Sequence, residues 1–164
     1  PLRDLVKESI FNLIENSNKF NVKISNANIL DLFSGSGSFG LECISRGANK
    51  VTFVENYKSI LNILKKNIDS ISADGKCEII EEDCFKFFEN EIFFKIKFDI
   101  IFIDPPYKEK KINFLLNKIS KNNFLKEDGL VVLHRHKKDN IEISDTFNVF
   151  DQRSYGISKI IIGN

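Results

Sequence analysis

The chain contains no methionine and begins at Pro1, which reads as a piece of a longer protein whose natural N-terminus lies upstream. No apolar run approaches the roughly 20 residues a membrane helix needs. The opening "PLRDLVKESI" also lacks the charged-then-apolar design of a signal peptide. Three cysteines, Cys43, Cys77 and Cys84, are odd in number, scattered and without a CxxC pair, so neither a disulfide framework nor a zinc knuckle is indicated. A reducing cytoplasm is the expected home. Net charge is only +1, so no field of one sign argues for or against a nucleic-acid partner. Repeats, low-complexity stretches and linkers are missing as well. With 164 residues the chain is long enough for one compact domain with a real core and too short for two. A single domain spanning 1–164 is therefore expected.

What is present is the balance of a globular protein rather than a disordered one, 42% hydrophobic and 29% charged. Residues 3–17 carry Leu5, Val6, Ser9, Ile10, Leu13 and Ile14 on one helical face, which predicts an amphipathic helix. Strand-like and helix-like segments then alternate. "NILDLF", "KVTFVEN", "KCEIIEED", "FDIIFID" and "GLVVLHRH" read as strands. "GLECISRGA", "YKSILNILKKNIDSI" and "KKINFLLNKISKNNF" read as helices, and "CFKFFENEIFF" as a helix or a phenylalanine-rich loop. Alternation of this kind predicts a parallel sheet covered on both faces. The tail is different: two strand-like runs joined at Tyr155–Gly156 predict a terminal hairpin that adds an antiparallel edge.

"DLFSGSGSFG" follows the first strand and opens a helix, and Gly35, Gly37 and Gly40 fit G-x-G-x-x-G. Alone this loop suits either a dinucleotide or S-adenosylmethionine (SAM). Asp31 separates the two. It sits at the carboxyl end of the strand, where it would repel a pyrophosphate and attract the ammonium and sulfonium of SAM. Glu55 ends the next strand, where a carboxylate can accept both ribose hydroxyls. Asp83 ends the third and is placed for the adenine amino group. Phe33, Asn56 and Cys84 adjoin these positions and complete the candidate cofactor set, whose reaction product would be S-adenosylhomocysteine (SAH). Each acid taken singly is also consistent with a turn cap or a solvated strand end.

"FDIIFIDPPY" ends the fourth strand on the same rim, bringing Asp104 to the reactive end of the cofactor. Pro105 and Pro106 fix φ and remove N–H donors, and Tyr107 offers a flat face for a planar base. The set Asp104, Pro105, Pro106 and Tyr107 suits methylation of an exocyclic amine. Its lone pair is delocalised, so acceptors for its hydrogens favour a pyramidal, nucleophilic nitrogen.

Here the motifs match a family. "PLRDLVKESIFNLI", "DLFSGSGSFGLECISRGA", "FDIIFIDPPY" and "RSYGISKI" together resemble the ribosomal RNA small-subunit methyltransferase D (RsmD-like) family nearly end to end. The Ser-Arg-Gly-Ala stretch is more specific than the glycine loop. Leu2, Leu5 and Lys7 stand where the family more often has threonine, arginine and arginine. The resemblance implies a Rossmann-like fold with a seven-stranded sheet and SAM as cofactor. It also implies transfer to N2 of a guanine in bacterial 16S rRNA, on free RNA or within a small-subunit assembly particle. A monomer is expected, with no membrane partner. The resemblance implies as well a short basic hairpin upstream of Pro1, which is expected to lie in a part of the protein outside this sequence.

Alternatives remain open at this point. An adenine-N6 enzyme of nucleic acid or a protein-glutamine methylase uses a similar turn. There is no room here for a DNA target-recognition domain, however, and asparagine is the more usual first residue for glutamine. An NAD-dependent oxidoreductase and a SAM-binding module without catalysis are the readings from other classes. Arg135, Lys137 and Lys138, with Lys108, Lys110 and Lys111, are candidates for a basic lip near the site, although any one of them taken singly reads first as part of a solvated charge run. His134 and His136 share a strand face without an evident third ligand, so no metal is expected.

Overall fold

The computed structural model of the chain describes residues 2–73 and 75–164. Pro1, the first residue of the opening motif, lies outside them. Seven strands form one sheet in the order β3-β2-β1-β4-β5-β7-β6. Strands β1 (Asn28–Leu32), β2 (Lys50–Val54), β3 (Cys77–Ile80), β4 (Phe98–Ile103) and β5 (Leu125–His136) run parallel. The terminal hairpin of β6 (Val149–Tyr155) and β7 (Ser158–Gly163) has β7 inserted beside β5 and antiparallel to it. The predicted alternation and the hairpin are both observed. The chain order reverses between β1 and β4, and at such a switch point the strand ends leave a crevice.

The sheet is buried on both faces, so its central strands are apolar almost throughout. Ile29, Phe53, Phe102 and Val132 pack on one face with α1 (Asp4–Asn16), α2 (Ser38–Ser45) and α3 (Lys58–Ser70). Leu32, Ile101, Val131 and Ile161 pack on the other with α4 (Cys84–Phe87) and α5 (Ile112–Lys121). The phenylalanine-rich segment supplies core here: Phe87 and Phe88 are fully buried beside Phe124.

The first helix turns differently from expectation. Val6, Ile10, Leu13 and Ile14 are buried as predicted, but Leu5 is 75% exposed and Phe11 takes a core place instead. An aromatic stack decides the rotation. Phe11 stacks on Phe39 (5.1 Å), and Phe39 on Phe102 of β4 (4.0 Å). Arg46 closes the same junction, pairing with Glu42 (2.9 Å) and Glu15 (2.8 Å) while its guanidinium lies 4.4 Å over the Phe11 ring. Gly47 then ends the helix at φ +92°. The Ser-Arg-Gly-Ala stretch thus clamps α1 onto α2, away from the cavity at the strand ends.

Candidate active site

The rim is assembled from short-range hydrogen bonds. Asp31 is 1% exposed, and its Oδ2 accepts the Gly40 N–H at 3.0 Å. Burial pushes the Asp31 carboxyl well above its ordinary range; the Gly40 bond opposes this, and the charges of Asp104 and Glu55 add to it. Gly40 allows this approach because a Cβ there would overlap the Phe53 ring and come within 2.8 Å of Val51 Cγ1. Glu55, one residue past β2, draws the glycine loop to itself. Its Oε2 accepts Gly35 N–H at 3.0 Å, and its Oε1 accepts the Asn56 and Tyr57 N–H groups at 2.9 and 3.0 Å. Asp83 caps α4, with Oδ1 accepting from Phe85 (2.8 Å) and Lys86 (3.2 Å).

Ten of the thirteen candidate residues come together. Asp31, Phe33, Gly35, Glu55, Asn56, Asp83, Asp104, Pro105, Pro106 and Tyr107 line one cavity of about 800 Å³. Gly37, Gly40 and Cys84 do not line it. Gly37 adopts φ +84° at the entry to α2, where a Cβ would meet the Leu64 side chain. Cys84 lies behind Phe33: its buried Sγ accepts the Phe33 N–H at 3.3 Å and so helps hold that residue at φ +54°. Burial raises the Cys84 thiol, which stays neutral.

A second, smaller cavity of about 280 Å³ shares Asp104, Pro105 and Tyr107 with the first. Arg3, His134, His136 and Ser158 also line its wall. Sequence reasoning missed Arg3 and Ser158 altogether and weighed His134 only as a metal ligand. Both ring nitrogens of His134 are engaged, Nδ1 with Asp104 Oδ1 (2.7 Å) and Nε2 with Ser158 Oγ (2.9 Å). The spacing of "LHRH" shows that the two histidines share a face, but nothing local names the residue opposite.

Arg135 requires a correction. It is 5% exposed and is not part of a basic lip. Its guanidinium donates to the Pro106 (3.3 Å), Tyr107 (3.2 Å) and Glu109 (3.0 Å) carbonyls and pairs with Asp139. A fixed planar fork matches three carbonyls of one turn in a way a lysine could not. Alternation along β5 explains this: Arg135 points to the face opposite His134 and His136, and so reaches beneath the Asp-Pro-Pro-Tyr turn. The Pro106 carbonyl is thereby taken, also receiving Glu109 N–H at 2.9 Å. No hydrogen bond to the Pro105 carbonyl is present among the described residues.

The donor set fits SAM. A buried carboxylate with a single N–H partner suits a cation, Glu55 retains a lone pair on Oε2 for a hydroxyl, and open space lies before Gly35. Comparison with known proteins gives the same class. The model of the family described as "Conserved hypothetical protein 95" matches residues 1–164. The chain is 30% identical over 158 residues to the ribosomal RNA small subunit methyltransferase D of Haemophilus influenzae, covering 96% of this chain and 78% of that one. It is also 30% identical to the putative rRNA methyltransferase YlbH of Bacillus subtilis, covering 99% and 85%. A crystal structure of a putative methylase from Haemophilus influenzae superposes with a TM-score of 0.78 at 29% identity, over 98% of this chain and 96% of that one. The chain is a SAM-dependent methyltransferase of the Rossmann-like fold. It belongs to the Conserved hypothetical protein 95 family, that of the ribosomal RNA small-subunit methyltransferase D proteins, as its motifs imply.

Proposed function

We propose that the chain methylates the exocyclic N2 amine of a guanine in bacterial 16S rRNA, as a cytoplasmic enzyme. The observation that carries this reading is the position of Asp104, Pro105 and Tyr107 on the wall shared by the two cavities. A group placed there touches both a bound cofactor and a base presented from the other side. The names of the relatives support the choice of acceptor, that of the Haemophilus influenzae protein specifying small-subunit ribosomal RNA and that of the Bacillus subtilis protein rRNA.

SAM, when bound, supplies an electrophilic methyl on a sulfonium. The chain's residues do the rest. Asp31 meets the cofactor ammonium, Glu55 accepts from the ribose, and Asp83, with Oδ1 committed to the α4 cap, offers Oδ2 to the adenine amino group. Asp104 and the Pro105 carbonyl accept the two hydrogens of the acceptor amine and stabilise the charge that develops on its nitrogen. A strong base is unnecessary, because the methylated cation is acidic enough to release its proton to Asp104 or water. Tyr107, 62% exposed and edge-on to His136 at 5.0 Å, presents a ring on which a base can stack.

Labelled methyl transfer to unmodified 30S subunits, naked rRNA and DNA tests the reading. N2-methylguanine in 16S rRNA is the expected product. Label recovered as N6-methyladenine or on protein glutamine would replace the acceptor, and tight NAD binding without response to SAH would replace the class.

A further inference from the structure

The side chains of three neighbouring strands meet at the catalytic turn. In the parallel pairing of β4 with β5, Ile103 lies opposite Leu133, so the next residues, Asp104 and His134, are cross-strand neighbours. On the far side of β5, the antiparallel pairing places Ser158 opposite His136, two residues along the same face. Contacts of 2.7 Å (Asp104 Oδ1 to His134 Nδ1) and 2.9 Å (His134 Nε2 to Ser158 Oγ) join them in a row. Ser158 is 5% exposed and lies on the wall of the smaller cavity, so the row ends on a buried hydroxyl.

We propose that His134, anchored by Ser158, is a positioning residue that orients the Asp104 carboxylate for the acceptor amine. This rests on the reading of Asp104 as the group that touches that amine. An ionised carboxylate can only accept, so Nδ1 of His134 must carry a proton toward Asp104 whether the ring is neutral or charged. Nε2 then accepts from the Ser158 hydroxyl in the neutral ring, or donates to it in the charged one, since a hydroxyl serves either way. Oδ1 of Asp104 is thus occupied and its rotation blocked, which leaves Oδ2 as the oxygen free for the amine. Without the brace the carboxylate can swing, and small misplacements of a reacting group are costly in rate.

The chain has two histidines, so nitrogen-15 spectra of the imidazoles are readable directly once His136→Gln assigns them. His134 is expected to hold its proton on Nδ1, and Asp104→Ala is expected to return the ring to the Nε2–H form common in water. A ring protonated at Nε2 alone in the intact chain, or one indifferent to Asp104→Ala, would overturn the proposal without any activity assay.

In turnover, His134→Leu should lower kcat by about a hundredfold, with KM for RNA and affinity for SAH held within a few-fold. His134→Asn, whose amide nitrogen takes the place of Nδ1, should recover much of that loss, and His134→Gln, which mimics Nε2, should not. Equal behaviour of all three variants would overturn the brace. An intact chain that shows the Nδ1 proton yet labels no RNA would instead overturn the acceptor assignment and leave the brace standing.

Discussion

The two cavities that meet at Asp104 are built by different means. The larger is shaped by a backbone loop and by acids at or just beyond the ends of parallel strands, with the glycine loop and α2 tied to Glu55 and Asp31 through N–H donors and aromatic side chains filling its walls. The smaller is made of side chains from strands distant in sequence, and its polar row crosses β4, β5 and β7. Backbone donors give the first a shape that tolerates side-chain change around it. The second has no such redundancy: each link in the row depends on one pair of side chains. A cofactor common to many enzymes suits the first construction, and a particular acceptor suits the second.

The sharpest way to break this contrast is a pair of substitutions on opposite walls. Asp104→Ala should cut methyl transfer by at least about a hundredfold while SAH affinity stays within a few-fold. Glu55→Ala should do the reverse, weakening SAH by about 10- to 100-fold as charge-assisted bonds to the loop and ribose are lost, with less effect on kcat. Titration calorimetry beside single-turnover rates separates the two, and loss of SAH binding in Asp104→Ala would show that Asp104 belongs to the cofactor wall.

Arg135→Met probes the support under the turn. It strands the Asp139 carboxylate and three carbonyls, which should cost about 3 kcal/mol in a denaturant melt. A loss below about 1 kcal/mol would mean water replaces the guanidinium readily, an outcome set against the cost of breaking a buried pair. Gly40→Ala probes the other wall. The new methyl meets Phe53 and Val51 in packed sheet, so a loss of about 1–3 kcal/mol is expected, and unchanged stability would show slack between α2 and β2.

The smallest effect is a pH dependence. Burial raises the Asp31 carboxyl above its ordinary 3.8, so the folded chain binds that proton more tightly than the unfolded one. Asp31 therefore favours folding at low pH, and that contribution is lost as pH rises from 3.8 through the raised value. On the proposed pairing of Asp31 with the ammonium of SAH, binding needs the ionised form, so the thermal shift given by SAH should grow with pH over the same window. A shift that is flat or falls with pH would remove Asp31 from the ammonium.

The cofactor wall is legible in the sequence because its signals are local. Asp31 and the glycines lie within ten residues of one another, Glu55 and Asp104 each end a recognisable apolar run, and Asp83 follows the short β3 after two further acids. Even there, Cys84 supports Phe33 from behind rather than lining the cavity, since a position next to a strand end does not say which way a side chain points. The basic character of "LHRHKK" suggests an exposed lip, and alternation along β5 instead buries Arg135 beneath the Asp-Pro-Pro-Tyr turn. In the first helix a periodicity of apolar residues marks the buried face except at its edge, and stacking on Phe39 brings in Phe11 where Leu5 is left exposed.

By itself, then, the order of residues determined the parallel sheet, the acidic rim and the place of the Asp-Pro-Pro-Tyr turn at the end of β4, because apolar runs, glycine spacing and proline geometry act over a few residues. Tertiary structure alone decided that His134 would face Asp104, that Ser158 would anchor it and that Arg135 would hold the turn. Those contacts depend on strand register and on the insertion of β7 beside β5, which bring together residues 24 to 30 apart in the chain with no local pattern to announce them.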